Sequence, residues 1–142
     1  MTERGTKFRY PVGLIDTCVL IDLIDLPDFE GADLPIESRI STVTLAELGM
    51  GIALAPDPTA LAIRTERLLE IEHGFDALPF SATAARRFAS LAKLTVAAGR
   101  NPKPRRMDLM IAAIASSNDL PLFTRNPDDF KGLDPLLTVV SV

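Results

Sequence analysis

The chain has 142 residues, a formal net charge of −4 and 47% hydrophobic residues. This composition predicts one folded domain over residues 1–142 and excludes an intrinsically disordered chain. The single cysteine, Cys18, excludes an internal disulfide framework. No apolar run reaches membrane-spanning length or resembles an export signal, so we expect a soluble protein in the reducing cytoplasm.

Strands and helices are predicted to alternate along the chain. Short apolar or β-branched runs predict strands at residues 12–16, 39–43, 77–80, 121–124 and 138–142. Amphipathic or apolar segments predict helices at residues 18–25, 44–54, 59–72, 81–99 and 107–117. Residues 26–38 are rich in Pro, Gly and Asp and are predicted to form a loop. This alternation predicts a parallel sheet of about five strands with helices on both faces, a three-layer α/β/α fold.

Basic residues are concentrated in one segment of this acidic chain. Residues 81–107 contain no Asp or Glu but seven basic residues: Arg86, Arg87, Lys93, Arg100, Lys103, Arg105 and Arg106. Three of them, Arg86, Lys93 and Arg100, recur every seven residues and are predicted to share one stripe of a helix. Such a segment is typical of a phosphate-binding surface or of a solvated helix face, and composition alone leaves both interpretations open.

Three acids fall inside apolar segments, where an unpaired carboxylate is costly to bury. Asp16 follows the first predicted strand, Glu47 lies in the second helix, and Asp108 begins the apolar helix at 107–117. Each acid has a purely structural explanation. Asp16 could be a turn or capping residue, Glu47 could complete a capping box with Thr44, and Asp108 could interact with the helix dipole.

Together, the three acids favour a shared site. All three lie at predicted helix starts, and the helices that follow parallel strands begin at the same edge of a sheet. Several carboxylates at one place repel each other unless a cation neutralises them, and oxygen ligands suit Mg²⁺ or Mn²⁺. His73 is the only histidine and is predicted to lie at a helix end, which excludes a histidine-based zinc site and the Ser-His-Asp and Cys-His catalytic classes.

Four segments resemble the motifs of PIN-domain nucleases, in the family's order and spacing. Residues 14–21 (LIDTCVLI) resemble the opening motif, and residues 44–51 (TLAELGMG) resemble the second. Residues 106–113 (RMDLMIAA) are similar to the third motif, and residues 122–130 (LFTRNPDDF) to the fourth. The resemblance extends over residues 12–142 and is greatest to the VapC-type toxins of bacterial toxin–antitoxin pairs.

This resemblance implies a Mg²⁺- or Mn²⁺-dependent endoribonuclease that is a homodimer and is held inactive by a small antitoxin. It also implies a parallel sheet with strand order 3-2-1-4-5, in which Asp16 faces Thr124 and Asn126. By the same motifs, Asp16, Glu47 and Asp108 are expected to bind the metal and Asn126 to complete the catalytic set. RNA is expected to contact Thr124 and the basic residues Arg86, Lys93, Arg100, Lys103, Arg105 and Arg106.

The chain departs from the family pattern at the fourth motif and in the segment before Asp108. The wider family often has Asp where this chain has Asn126, so Asn126 and Asp129 both stay candidates for the fourth position. The segment before Asp108 carries Lys103, Arg105 and Arg106 where relatives often carry Gly and polar residues.

Two alternatives to the nuclease stay open, and the first is a different metal-using α/β enzyme, such as a phosphoryl-transfer or receiver-like domain. A phosphatase of the haloacid-dehalogenase type needs a second Asp where this chain has Cys18, and a receiver domain needs paired acids ahead of its phosphorylated Asp. The remaining alternative is a non-catalytic metal-binding α/β domain that binds RNA or a partner protein.

Overall fold

A computed structural model describes residues 8–26 and 33–142 of the chain. The strands are short: Val12–Ile15 (β1), Glu37–Ser41 (β2), Ala77–Leu78 (β3), Leu122–Thr124 (β4) and Val139–Ser141 (β5). The helices are Thr17–Asp25 (α1), Thr42–Ala53 (α2), Pro58–Gly74 (α3), Ala82–Ala97 (α4) and Arg106–Ser117 (α5). Single 3-10 turns lie at Lys103–Arg105 and Pro127–Phe130. The predicted loop at 26–38 lies partly outside the described residues.

The strands form a parallel sheet with the order β3-β2-β1-β4-β5. The order reverses between β1 and β4, so the sheet has its topological switch point there, where open α/β sheets bind ligands. The register pairs Ile15 with Phe123, and the backbone N–H of Asp16 donates to the Phe123 carbonyl at 2.9 Å. The sheet order expected from the resemblance is therefore confirmed.

Apolar residues fill the space on both faces of the sheet. Neighbouring residues of β1 point to opposite faces: Leu14 packs with α4 and α5, whereas Ile15 packs with residues of α1 and α3. In β4, Leu122 and Phe123 divide in the same way. Helix α5 has the most buried residues of the described helices, and Ile111 and Ile114 within it have no exposed surface. This packing confirms the three-layer α/β/α fold.

The second strand and the helix after it begin earlier than predicted. The sequence predicts a strand at 39–43 and a helix start at Thr44, but β2 ends at Ser41 and α2 begins at Thr42. Ser41 is the N-cap of α2, because its side-chain oxygen accepts a hydrogen bond from the backbone N–H of Thr44 at 3.0 Å. The structural explanation of Glu47 as the partner of Thr44 in a capping box is therefore wrong.

Helix α4 ends before Arg100, so the predicted stripe of three basic residues is shorter than expected. Gly99 adopts a φ of 79°, and the N–H of Arg100 donates to the Thr95 carbonyl at 3.0 Å. This is the hydrogen-bond pattern of a Schellman motif, which glycine accommodates without steric cost. Of the predicted stripe, only Arg86 and Lys93 lie on the helix, and both are exposed.

Within the described ranges, none of the helices is both long enough and apolar enough to cross a membrane.

Candidate metal centre

Asp16 lies at the carboxyl end of β1, where the chain turns directly into α1. Its side chain is buried, with 7% of its surface exposed, and it caps α1 by accepting a hydrogen bond from the Thr17 N–H at 2.9 Å. The Thr124 hydroxyl donates to its other carboxylate oxygen, also at 2.9 Å. Burial raises the pKa of Asp16, and the hydrogen bonds from Thr124 and Thr17 oppose that rise. Asp16 is therefore a capping residue, as its structural explanation requires, and its carboxylate also lies at the switch point of the sheet.

Glu47 contacts α1 and not the start of its own helix. Because α2 begins at Thr42, Glu47 lies in its second turn, too far along to reach the helix N-terminus. The Thr17 hydroxyl donates to Glu47 Oε1 at 2.6 Å and lies 2.9 Å from the Thr44 hydroxyl. These bonds hold the Glu47 carboxylate on the side of α2 that faces the start of α1.

Asp108 lies in the first turn of α5, as predicted, and its side chain is half-buried. Its pKa is raised to about 6, first because burial disfavours the charged form and then because Asp16, Asp129 and Glu47 are negatively charged. Arg105 opposes this rise. Acids from three other segments of the chain therefore act electrostatically on Asp108 at the carboxyl edge of the sheet.

Of the two candidates for the fourth position, Asp129 and not Asn126 acts electrostatically on the other acids. Asn126 is exposed, and its side-chain amide lies 3.9 Å from the Cys18 sulfur, while its backbone N–H donates to the Thr124 hydroxyl at 3.0 Å. Asp129 lies in the 3-10 turn Pro127–Phe130, and its charge raises the pKa of both Asp16 and Asp108. The structure therefore places Asn126 beside Cys18 and Thr124, and Asp129 close to the other acids.

The chemistry of these side chains fits a hard divalent cation. Carboxylate oxygens are the ligands that Mg²⁺ and Mn²⁺ prefer, and a cation would relieve the repulsion that raises the pKa of Asp108. In the part of the chain that the structure describes, no three Asp, Glu, His or Cys side chains meet closely enough to form a ready-made metal cage. The acids thus surround one region without closing around a single point.

The basic residues of the segment at 81–107 are divided between internal contacts and solvent. Arg87 donates to the Ser116 hydroxyl at 2.7 Å, and Arg100 donates to the Asp128 carbonyl. Arg105 lies 3.8 Å from an Asp129 carboxylate oxygen. The remaining four are exposed: Arg86, Lys93, Lys103 and Arg106.

Two threonines of the site were not predicted as functional residues, namely Thr17 and Thr44. Both stand within the motifs quoted above, but a hydroxyl that joins two helices has no periodic signal in a sequence. The sequence offers a capping box with Thr44 as a structural explanation of Glu47, and this explanation does not include the hydrogen bond between Glu47 and Thr17. The signal that could have revealed this contact is the pairing of an Asp-Thr at one helix start with a Thr-x-x-Glu at the next.

The fold and the site define an α/β protein with acids at the switch point of a parallel sheet. Residues 13–134 match the family model of the PIN domain. This match covers more than half of the chain, so the chain belongs to the PIN-domain family.

Similar proteins agree with this assignment. The chain is 36% identical over 129 residues to Ribonuclease VapC5 of Mycobacterium tuberculosis, across 89% of this chain and 91% of that protein. It resembles the structure of VapBC-5 from Mycobacterium tuberculosis, a member of the VapBC family of toxin–antitoxin systems, with a TM-score of 0.78 and 31% identity over 93% of this chain and 99% of that one. The structure of FitAcB from Neisseria gonorrhoeae matches with a TM-score of 0.73 and 25% identity over 92% and 96% of the two chains.

Proposed function

We propose that this protein is a metal-dependent endoribonuclease, the toxin of a type II toxin–antitoxin pair, and that it acts in the cytoplasm as a single domain over residues 1–142. The observation that carries the proposal is the group of acids from four segments at the switch point of a PIN-family sheet. Its 36% identity to a protein named as a ribonuclease supports RNA as the substrate.

The acids proposed to hold Mg²⁺ or Mn²⁺ are Asp16, Glu47 and Asp108. When bound, the ion lowers the pKa of water and neutralises charge on the scissile phosphate, which allows hydrolysis without a covalent enzyme intermediate. The chain's own contribution is orientation. Thr124 and the Thr17 N–H hold the two oxygens of Asp16, and the Thr17 hydroxyl holds Glu47. The expected products carry 5′-phosphate and 3′-hydroxyl ends.

Asp129 is proposed to complete the acid set, with Asn126 in a supporting position. Asp129 contributes a charge that acts on both Asp16 and Asp108, whereas Asn126 is neutral and contacts Cys18. We expect Asp129→Asn to lower the cleavage rate about tenfold or more. Mutation of a residue that supports the ligands of a metal site typically lowers metal affinity or activity by about 10- to 100-fold. Asn126→Ala should lower the cleavage rate less. Equal losses in the two variants would show that the two residues share the fourth position.

The exposed basic residues Arg86, Lys93, Lys103 and Arg106 are proposed to bind the RNA backbone. Lys103 and Arg106 adjoin the first turn of α5, which carries Asp108. Positive charge next to the acid cluster would hold a polyanion that the acids themselves repel.

A small antitoxin and a second copy of the chain are the proposed protein partners. The similar VapBC-5 structure belongs to a toxin–antitoxin family, which supports an antitoxin as a partner of this chain. Co-purification with the product of a short neighbouring reading frame would test this partner. Light scattering of the purified chain would test the homodimer.

The nuclease itself is tested by incubating the purified protein with bacterial total RNA in Mg²⁺ or Mn²⁺. We expect discrete cleavage products that disappear with a chelator, return when the metal is restored, and are lost in Asp16→Asn and Asp108→Asn. Mapping the end groups of these products checks the expected 5′-phosphate. Cleavage that persists in chelator and in both variants would overturn the metal mechanism and would indicate a contaminating nuclease.

A further inference from the structure

Arg105 is set apart from the other basic residues by its place next to the acid cluster. It is the last residue of the 3-10 turn Lys103–Arg105 and the N-cap residue of α5, three residues before Asp108. Its side chain is 27% exposed and its guanidinium lies 3.8 Å from Asp129 Oδ1. Arg105 is also the basic residue that opposes the rise in the pKa of Asp108. A single positive charge therefore faces both Asp129 and Asp108.

The neighbouring basic residues do not share this position. Lys103 and Arg106 are exposed, and neither pairs with an acid of the described residues. Arg100 contacts the backbone carbonyl of Asp128 and not a carboxylate. Among these four basic residues, Arg105 is therefore the one whose guanidinium lies next to a carboxylate of the acid cluster.

We propose that Arg105 is a built-in counter-ion of the acid cluster and competes with the divalent cation for it. The inference rests on the proposed function, because it takes the acids as the metal site. Without metal, the guanidinium compensates part of the charge of Asp129 and Asp108. When a divalent cation is present, Arg105 and the cation interact with the same carboxylates. Each of the two positive charges weakens the interaction of the other with these acids.

Electrostatics gives the sign of the effect. Two positive charges that share a small group of carboxylates repel each other, and a half-buried position screens that repulsion less than bulk water does. Removal of the guanidinium makes the electrostatic potential at the acids more negative, so the cation is attracted more strongly. We expect Arg105→Gln to bind Mn²⁺ about threefold to tenfold more tightly than the unaltered protein at low ionic strength.

The test is a titration of the purified protein with Mn²⁺ in the absence of RNA, with the free ion measured by electron paramagnetic resonance. Arg106→Gln is the matched control, because it removes the same charge from the next residue, whose side chain is exposed. Its Kd should change less than about twofold. Arg105→Lys keeps the charge and should stay close to the unaltered protein, and it covers the case in which Arg105→Gln does not fold.

A second readout is the thermal unfolding of the same variants in chelator and in Mn²⁺. Arg105→Gln should unfold at a lower temperature than the unaltered protein in chelator and gain more stability from Mn²⁺, because its acids have lost their internal counter-ion. Arg106→Gln should show neither difference.

The outcomes separate this inference from the proposed function. If the unaltered protein binds Mn²⁺ and Arg105→Gln binds it equally or more weakly, the competition is overturned while the metal site stands. If the unaltered protein binds no Mn²⁺ and Asp108→Asn behaves identically, both the metal site and the competition are overturned.

Discussion

At the scale of single residues, the site depends on hydroxyl groups that fix carboxylates. Asp16 is held by Thr124 and by the Thr17 N–H, and Glu47 is held by the Thr17 hydroxyl. The sequence predicted the acids, because charges inside apolar segments are conspicuous and the family motifs name them. It did not predict the roles of Thr17 and Thr44, because these depend on where α2 starts, and the predicted start was two residues late.

Asp108 should make the metal-free protein less stable as the pH rises. Its pKa is raised from 3.8 to about 6 in the folded protein, so the folded state binds the proton more tightly than the unfolded chain does. Stability is therefore lost between about pH 4 and 6, by roughly 1–2 kcal/mol once solvent screening is allowed for. Asp108→Asn should remove this loss.

The measurement is urea unfolding of both proteins in chelator at pH 4.5 and pH 7.5. The free energy of unfolding of the unaltered protein, taken relative to that of Asp108→Asn, should be lower at pH 7.5. The variant as the reference cancels the contributions of groups that the substitution leaves unchanged. A relative stability that is the same at both pH values would contradict the raised pKa.

Thr17→Val should weaken the site by removing the hydroxyl that joins α1 to α2. The change leaves Glu47 and Thr44 without the shared partner, so we expect a loss of about 1–3 kcal/mol in the free energy of unfolding and slower RNA cleavage. Urea unfolding and a cleavage assay check the two effects. Thr17→Ser keeps the hydroxyl and is the control. If Thr17→Val and Thr17→Ser cleave RNA equally well, the hydroxyl does not orient Glu47.

At the scale of elements, β1 is the strand that positions the site, and its backbone lies very close to β4. A Cβ atom at Gly13 would overlap the Phe123 ring and lie 3.1 Å from Pro35 Cγ. Phe123 is 1% exposed and packed on the side of the sheet next to α1, so it has little room to move. The sequence predicted this strand and its end at the acid well. The end of β2 and the start of α2 were less predictable, because Ser41 and Thr44 are both good capping residues and local propensity does not choose between them.

Gly13→Ala should destabilise the protein by about 1–3 kcal/mol, because a side chain there overpacks the interface between β1 and β4. Gly49→Ala is the control, since a Cβ at that helical position meets nothing within 4 Å. Alanine at Gly49 should raise stability by up to about 1 kcal/mol, as it does in helix interiors generally. Urea unfolding compares the two variants. Equal effects of the two substitutions would contradict the close packing at Gly13.

At the scale of the whole molecule, an acidic protein carries several exposed basic residues in one segment of its chain. The net charge is −4, yet Arg86, Lys93, Lys103 and Arg106 are exposed within a segment that lacks acids. The sequence predicted this segment by composition alone. It did not predict which of its basic residues turn inward, because Arg87, Arg100 and Arg105 contact parts of the chain that are distant in sequence.

RNA binding should therefore weaken with salt in a way that depends on these exposed residues. In chelator and in the Asp108→Asn background, Lys93→Gln should lower the slope of log affinity against log salt by about 0.7, the loss of one phosphate contact to a single strand. Arg39→Gln is the control, because Arg39 pairs with Glu37 in β2, outside the basic segment. Filter binding over a range of salt concentrations gives both slopes. A slope that Lys93→Gln leaves unchanged would remove Lys93 from the RNA surface.

The central claim is that acids from separate segments form one metal-dependent site for RNA cleavage. Its most direct test is the single-turnover cleavage rate of a labelled RNA against Mn²⁺ concentration, for the unaltered protein and for Asp16→Asn, Glu47→Gln and Asp108→Asn. We predict a rate that rises and saturates with Mn²⁺ in the unaltered protein, and rates at least about 100-fold lower in the Asp16 and Asp108 variants. Cleavage by these variants at the unaltered rate, or independent of Mn²⁺, would contradict the claim.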